Sequence, residues 1–190
     1  MDLYIDHLRG WIGNSETMSE RLTPQLVERF YATLGSVKPA SEGGEAPLMV
    51  HFCLAQTVAG LDRLGPDGHP MRGGFLPPVP LPRRMWAGGK INFKAPMLIG
   101  SQITRRSTIT DIEVKSGRSG MLCFVTVMHE DSREGQHCVR ERQDLVYRDP
   151  PADENSVPAK LEEPAPNGSY HQQFTPTPTI LFRFSAITFN

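Results

Sequence analysis

The chain has few cysteines and no excess of charge of either sign, and each scarcity excludes a class of protein. Three cysteines, Cys53, Cys123 and Cys138, occur among 190 residues without paired spacing, which argues against a disulfide framework or a zinc site. We therefore expect reduced thiols that pack as small apolar side chains. Lys and Arg total 20 against 21 Asp and Glu, so neither a nucleic-acid partner nor a membrane surface is expected.

Long hydrophobic runs are also missing. The most apolar stretch, residues 48–59, is interrupted by His51 and Gln56 and is too short to span a bilayer. The N-terminus has no basic region followed by an apolar run, so it does not resemble a secretory signal. Apolar residues make up 38% of the chain, which is enough for a core. Together these features predict a folded cytoplasmic protein without a bound metal ion.

Two helices are predicted in the first 35 residues. Asp2 is a suitable cap for a short helix, which would place its apolar side chains on one face. Thr23 and Pro24 are typical of the start of a second helix, and Gly35 is typical of its end.

A third helix is predicted over residues 47–61, where the chain is apolar nearly all round. Such a segment is typical of a helix wrapped by other structure rather than one lying on a surface. Residues 65–82 follow with six prolines and four glycines, so neither a helix nor a central strand is expected there.

From residue 88 to residue 148 the apolar residues recur with a period of two, which predicts an antiparallel sheet. Strands are expected near residues 91–93 and over 101–116, 121–130 and 137–148. The apolar phase slips near Asp111 and predicts a bulge, and residues 115–120 and 132–135 are typical of turns. One buried helix followed by a long antiparallel sheet predicts an α+β fold with the sheet wrapped around a central helix.

The end of the chain repeats an earlier segment. Residues 149–168 are rich in Pro, Glu, Ala and Asn and are typical of a linker. After them, residues 177–186 match residues 23–32 at a constant offset, with Thr, Pro, Arg, Phe and Ala identical. We interpret the match as duplication. The predicted organisation is a first domain over 1–148, a linker over 149–168 and the beginning of a second, truncated domain over 169–190.

Three stretches resemble one family, the MaoC-like double-hotdog hydratases of the branch that includes mesaconyl-CoA and itaconyl-CoA hydratases. They are LGPDGHP at 64–70 continuing into RGGFLPPVPLPRRMWAGG at 72–89, INFKAP at 91–96, and LFRFSAITFN at 181–190. The first stretch is long and specific, whereas the strand motif at 91–96 alone would be weak. The resemblance implies a hotdog fold for the first domain, followed by the start of a second hotdog.

The resemblance also implies an activity. Members of the family are hydro-lyases that add water to enoyl-CoA thioesters or remove it, without a cofactor besides the coenzyme A of the substrate. The first hotdog mainly shapes the acyl-CoA pocket, and the second carries the acid–base residues. Asn190 lies at or beside the position that is Asp in the wider family, and the expected pair of histidines would come directly after it. We therefore expect no more than trace hydratase activity from this chain alone.

Four further residues are candidates for the substrate site. Arg83 and Arg84 are suited to binding the phosphates of CoA, although ordinary surface charge is an equal alternative. Trp86 is a candidate for the wall of the acyl pocket, with a packed core tryptophan as the alternative. His51 is a candidate substrate-facing group, and a hydrogen-bonded core histidine is favoured over it. The sequence His129-Glu130-Asp131 is interpreted as solvated charge at a strand end rather than a metal site.

Two functions remain open at this point. One is a hydro-lyase for a short dicarboxylic enoyl-CoA ester, of which this chain is the N-terminal part. The other is a non-catalytic CoA-binding hotdog subunit that a partner chain completes. A hotdog thioesterase is weaker, because no general-base carboxylate falls on the predicted central helix. Because an unpaired sheet edge invites pairing, the expected partner is a second copy in a homodimer or a complementary C-terminal hotdog half.

Overall fold

A computed structural model of the chain describes residues 4–117, 120–150, 168–170 and 173–189. The elements follow one another as α1 (Ile5–Arg9), β1 (Ser15–Arg21), α2 (Pro24–Thr33), β2 (Arg83–Phe93), β3 (Gln102–Gly117), β4 (Gly120–Arg133), β5 (Gln136–Arg148) and α3 (Pro178–Thr188). Two short 3₁₀ turns, Val50–Cys53 and Leu61–Arg63, lie between α2 and β2. Among these described residues, no helix is long and apolar enough to cross a membrane.

The five strands form one antiparallel sheet in the order β1-β3-β4-β5-β2. This confirms the α+β class and the meander from β3 to β5. Strand β1 was not predicted, because its sequence Ser-Glu-Thr-Met-Ser-Glu-Arg has no alternating apolar pattern. It joins the sheet through backbone pairing with β3, and an edge strand that is largely exposed needs few apolar side chains.

The predicted irregularities of the sheet lie where the sequence placed them. The pairing of β3 with β4 shifts between Ile109 and Asp111, which confirms the bulge. Strands β3 and β4 meet at the pair Gly117 and Gly120, and residues 118–119 of that turn lie outside the described residues. The turn between β4 and β5 consists of Glu134 and Gly135, both with positive φ, as tight hairpins require.

The predicted central helix over residues 47–61 is wrong. The segment contains the turn Val50–Cys53, a stretch without regular structure after it, and the first residue of the turn Leu61–Arg63. Met49 and Ala55 lie in the left-handed region at φ 71° and 52°. The prediction that it is wrapped all round also fails, because Leu48, Val58 and Leu61 are at least 65% exposed. Burial was predicted correctly for five residues of the segment, which are 50, 51, 53, 54 and 55.

The reason lies in the partners of the segment's backbone. In an α-helix, the backbone oxygens of His51 and Leu54 would accept hydrogen bonds from amides four residues later. Here they accept hydrogen bonds from the side chain of Arg105 on β3 instead. The Arg105 guanidinium donates to the backbone oxygens of His51 and Leu54, at 2.7 and 3.4 Å. The Ala55 amide donates to a carboxylate oxygen of Glu20 at 2.8 Å. These long-range bonds replace the local hydrogen bonds that sequence periodicity assumes.

Two apolar clusters cover the inner face of the sheet. The first joins α2 and the turn Val50–Cys53 to one end of the strands; it comprises Leu22, Val27, Phe30, Val50, Cys53, Leu54, Met97, Ile99, Ile103, Cys138 and Val139. The second lies at the other end of the strands, under the proline-rich segment; it comprises Leu8, Val79, Leu81, Ile109, Ile112, Cys123, Val125, Val127, Leu145 and Tyr147. All three cysteines are free and buried in these clusters, and burial raises the pKa of Cys53 and Cys123 to about 11.

Both copies of the repeated segment are helices with the same start. Thr23 caps α2 through the amide of Leu26, and Thr177 caps α3 through the amide of Ile180. Helix α3 packs against α2 and the turn Val50–Cys53, and its Ile187 contacts the first apolar cluster. Residues 151–167, most of the predicted linker, lie outside the described residues, so the proposed domain boundaries stay a prediction.

Candidate functional site

A band of polar side chains crosses the inner face of the sheet between the two apolar clusters. Each of the three central strands contributes two of them at alternating positions: Arg105 and Ser107 on β3, His129 and Asp131 on β4, and Glu141 and Gln143 on β5. The register places Arg105 opposite Asp131, and His129 opposite both Ser107 and Glu141. The six side chains, together with His51, are called the polar band below.

Arg105 and Asp131 form the closer of the two ion pairs in the polar band. The Arg105 Nε donates to an Asp131 carboxylate oxygen at 2.9 Å, and the two side chains are 8% and 0% exposed. The same guanidinium holds the backbone oxygens of His51 and Leu54. The pair therefore anchors the turn Val50–Cys53 to the sheet.

His51 and Glu141 form a second, looser pair. The His51 Nε2 lies 3.6 Å from a Glu141 carboxylate oxygen, just beyond hydrogen-bond length, and the side chains are 1% and 2% exposed. Both groups keep an atom without a hydrogen-bond partner among the described residues, Nε2 of His51 and Oε1 of Glu141. Phe52 and Phe93 pack on the imidazole, with ring centroids at 4.4 and 5.9 Å, and seal it from solvent.

His129 completes the polar band. Its Nδ1 lies 2.8 Å from the Ser107 hydroxyl and its Nε2 lies 3.3 Å from the Gln143 side-chain oxygen. The interpretation of residues 129–131 as solvated strand-end charge is therefore wrong for two of the three residues. His129 and Asp131 face inward because alternate strand residues share a face, whereas Glu130 lies on the outer face beside Arg140.

The surroundings of the polar band lower the pKa of His129 and of Glu141. Burial lowers the pKa of His129, and the Arg105 charge lowers it further, against the opposing effect of Glu141. Burial acts to raise the pKa of Glu141, but the His51 imidazole, His129 and Arg105 together outweigh it and leave the pKa of Glu141 below its ordinary value. A neutral His129 and an ionised Glu141 are thus the forms that the fold favours.

We expect the free energy of unfolding to fall as the pH is lowered, in two steps. Both pKa values are lower in the folded protein, so the unfolded chain binds protons first and stability is lost on acidification. The first step begins below the ordinary histidine value of 6.5, and the second below the ordinary glutamate value of 4.5. Urea unfolding at pH 7.5, 5.5 and 4.0 measures both steps. The variant His129→Gln should lack the upper step, and an unfolding free energy that is equal at pH 7.5 and 5.5 in the unmodified chain would contradict the assignment.

Trp86 lies apart from the polar band, on the edge strand β2. It is 53% exposed, which excludes the alternative of a packed core tryptophan. Its ring meets Phe52 edge-on at 5.9 Å, and residues 86–91 line an open depression of about 550 Å³. The bulge of β2 between Trp86 and Gly88 shapes this depression.

The two arginines of the predicted phosphate site have different surroundings. Arg83 is exposed. The side chain of Arg84 is 11% exposed, and its Nε lies 3.7 Å from an Asp67 carboxylate oxygen. Asp67 also lies 3.7 Å from Arg72, whose guanidinium donates to three backbone oxygens of the segment 79–82. Sequence reasoning missed Arg72 and Asp67, although both lie within the stretch that carries the family resemblance.

Asn190, the remaining predicted site residue, lies outside the described residues. Of the other candidates, the structure brings His51 to the polar band, Trp86 to the depression and Arg84 to the Asp67–Arg72 cluster, and it leaves Arg83 on the surface. The alternation of β5 could have revealed Glu141, because it shares the inward phase of Val139, Leu145 and Tyr147.

Most of the chain matches a known protein family. The family model described as hydroxyacyl-thioester dehydratase type 2 matches residues 49–190. The chain belongs to this family. A curated relative is 39% identical over 184 residues, the mesaconyl-C(4)-CoA hydratase of Chloroflexus aurantiacus; the match covers 95% of this chain and 64% of the relative. The chain therefore spans less than two thirds of that relative's length.

Solved structures confirm the hotdog fold. A MaoC-like dehydratase superposes with a TM-score of 0.63 at 11% identity, over 96% of this chain and 67% of that one. The MaoC-like dehydratase from Phytophthora capsici gives a TM-score of 0.59 at 14% identity, over 98% and 64%. A chain of the ChsH1–ChsH2 complex from Mycobacterium tuberculosis gives 0.56 at 11% identity, over 83% and 96%. At these identities the likeness concerns the fold alone.

Proposed function

We propose that this chain supplies the acyl-CoA-binding part of a hydro-lyase that adds water to, or removes it from, a short dicarboxylic enoyl-CoA thioester. The observation that carries the proposal is the 39% identity to a mesaconyl-C(4)-CoA hydratase over 95% of the chain. In this proposal coenzyme A enters only as part of the substrate, and no other cofactor takes part. A cytoplasmic location belongs to the same proposal, since the three buried thiols are free.

The chemistry requires groups that the described residues do not bring together at an open site. Hydration of an enoyl thioester needs a base for water, an acid for the α-carbon and donors for the developing enolate oxygen. His51 and Glu141 are a histidine–carboxylate pair, but their side chains are only 1% and 2% exposed, so they are buried in the core. We therefore propose that the acid–base residues belong to a further hotdog unit. The greater length of the hydratase relative and the repeat of α2 in α3 support that view.

The depression on β2 is the proposed place for part of the acyl-CoA. Trp86 offers an exposed aromatic surface there, and Lys90 lines the same depression. Arg83 is exposed at the start of the strand, where a phosphate of CoA is able to reach its guanidinium. Arg84 is the less accessible of the two arginines.

We expect the 190-residue chain to bind crotonyl-CoA and free CoA but to hydrate the ester at no more than a trace rate. Tryptophan fluorescence reports binding, because the half-exposed Trp86 lies in the proposed site while Trp11 is bonded to the Gly74 oxygen elsewhere. The variant Trp11→Phe should keep the fluorescence change on ligand addition, and Trp86→Phe should lose it. Loss of enoyl absorbance measures hydration.

The rate of turnover and the effect of a complementary half together separate the alternatives. Turnover within about tenfold of the ~10 per second typical of enzymes would show that a complete site exists in this chain. Binding without turnover fits both the hydratase part and the non-catalytic subunit, and addition of a complementary C-terminal half then decides: activity appears only for the hydratase part. A chain that binds neither ligand would contradict the proposal.

A further inference from the structure

Arg84 is a nearly buried cation that makes no hydrogen bond of normal geometry to a described residue. It lies on β2 directly opposite Tyr147 of β5, and its side chain is 11% exposed. Within the part of the chain that the structure describes, its one ion pair is with Asp67, and the 3.7 Å separation exceeds hydrogen-bond length. A guanidinium has five N–H donors, so such a position leaves it poorly satisfied.

The Tyr147 hydroxyl, which lies beside Arg84, also lacks a regular hydrogen-bond partner among the described residues. Tyr147 is fully buried, and its oxygen makes no hydrogen bond of normal geometry among the described residues. Burial raises the pKa of Tyr147, and the Arg84 and Arg72 charges oppose the rise, Arg84 also through a weak hydrogen-bonding contact with the hydroxyl. Buried polar groups are paired in the great majority of cases, so two neighbouring unsatisfied groups call for a ligand or a water.

Arg72 places a second positive charge close to Tyr147. Its guanidinium lies 4.9 Å from the centre of the Tyr147 ring. Its terminal nitrogens donate to the backbone oxygens of Val79 and Pro82 at 2.8 Å. These bonds hold Arg72 in place, and among the described residues Asp67, at 3.7 Å, is the anion that balances its charge.

Charge and shape favour a carboxylate as the missing ligand. Two arginines face one aspartate, so the cluster has an excess of one positive charge, which equals the charge of one carboxylate. A carboxylate also accepts two parallel bonds from a guanidinium and a third from a hydroxyl. A phosphate monoester carries about two negative charges at neutral pH and is better suited to the exposed Arg83 and Lys90.

We infer that Arg84, Arg72 and the Tyr147 hydroxyl form a binding site for the free carboxylate of the acyl group, and that Asp67 is the internal anion that occupies its entrance in the free protein. Asp67 lies in a loop that is closed by the bond from the Gly65 amide to the His69 oxygen at 2.7 Å. Its side chain is 25% exposed, so it is displaceable toward solvent. The inference rests on the proposed function, because it concerns a dicarboxylic acyl-CoA.

Two substitutions with opposite expected effects test the site. Titration calorimetry compares mesaconyl-CoA with crotonyl-CoA, which lacks the free carboxylate. The unmodified chain should bind mesaconyl-CoA roughly tenfold more tightly, as one charge-assisted contact of about 1.5 kcal/mol implies. The variant Arg84→Gln should abolish this preference, whereas Asp67→Asn should enlarge it, because the competing anion is gone. The matched control Arg106→Gln removes an exposed arginine of β3 and should leave the preference unchanged.

The outcomes that overturn the inference are distinct from those that overturn the proposed function. If Asp67→Asn and Arg84→Gln weaken mesaconyl-CoA binding alike, the cluster is structural. If Arg84→Gln weakens both esters and free CoA equally, the anion is a phosphate of CoA. Should Arg84→Gln fail to fold, Arg84→Lys replaces it, with most of the preference lost since the planar fork is absent.

A chain that binds neither ester nor free CoA would overturn the proposed function. Methylfumarate then tests the carboxylate site by itself, followed through the NMR signal of the Arg84 Nε–H. A saturable shift of this signal on addition of methylfumarate supports the site. No shift overturns it.

Discussion

Replacing Asp131 by asparagine is expected to lower the free energy of unfolding by about 3 to 5 kcal/mol. Asp131 is fully buried and forms the partner of Arg105 at 2.9 Å. Its loss leaves the Arg105 charge uncompensated in the core, and such a charge cannot be shed by deprotonation. The same guanidinium holds the backbone of the turn Val50–Cys53, so local loosening of that turn should accompany the loss of stability.

Urea unfolding at pH 7.5 measures the effect, and amide hydrogen exchange of residues 50–55 measures the loosening. The matched control is Glu42→Gln, which breaks the Arg21–Glu42 pair at 2.6 Å. That pair is 56% and 63% exposed, so the expected loss is below about 1 kcal/mol. Equal losses for the two variants would show that the Arg105–Asp131 pair does not anchor the fold.

We also expect the 190-residue chain to associate into a species of about twice its 21.2 kDa mass. Strand β2 lies at an edge of the sheet and exposes Met85, Trp86 and Phe93 by 40% or more. Helix α3 exposes Leu181 and Phe182 by 58% and 74%. An unpaired edge and apolar side chains in water both favour association, either with a second copy or with a complementary hotdog half.

Light scattering down to low micromolar concentration measures the mass. Lysine on an edge strand opposes pairing, so Met85→Lys should shift the chain toward monomer if β2 forms the interface. Phe182→Lys should do so if α3 forms it. Val37→Lys, at a residue that is 95% exposed outside both elements, should leave the mass unchanged. A monomer of 21.2 kDa at every concentration would contradict the prediction.

The sequence predicted those parts of the fold whose causes are local. The Thr-Pro start of α2 and of α3, the bulge at Asp111 and the last three strands all follow from neighbouring residues, and all are observed. The family resemblance, carried by 64–96 and 181–190, correctly gave the hotdog fold. Strand β1 and the central segment failed, because the partners that decide them lie far along the chain, on β3.

The candidate site was likewise predictable from the sequence only in part. Residue type and motif were enough to single out His51, Arg84 and Trp86 as candidates, but their roles depend on distances that no local pattern contains. Only the tertiary structure shows that Arg105 replaces the helical hydrogen bonds of residues 51–54. Only it shows that Glu141 meets His51 in the core, and that Asp67 stands between Arg72 and Arg84. The sequence determined which backbone conformation is favourable at each residue. Burial and pairing across the sheet decided which charged side chains lie next to one another in the folded protein.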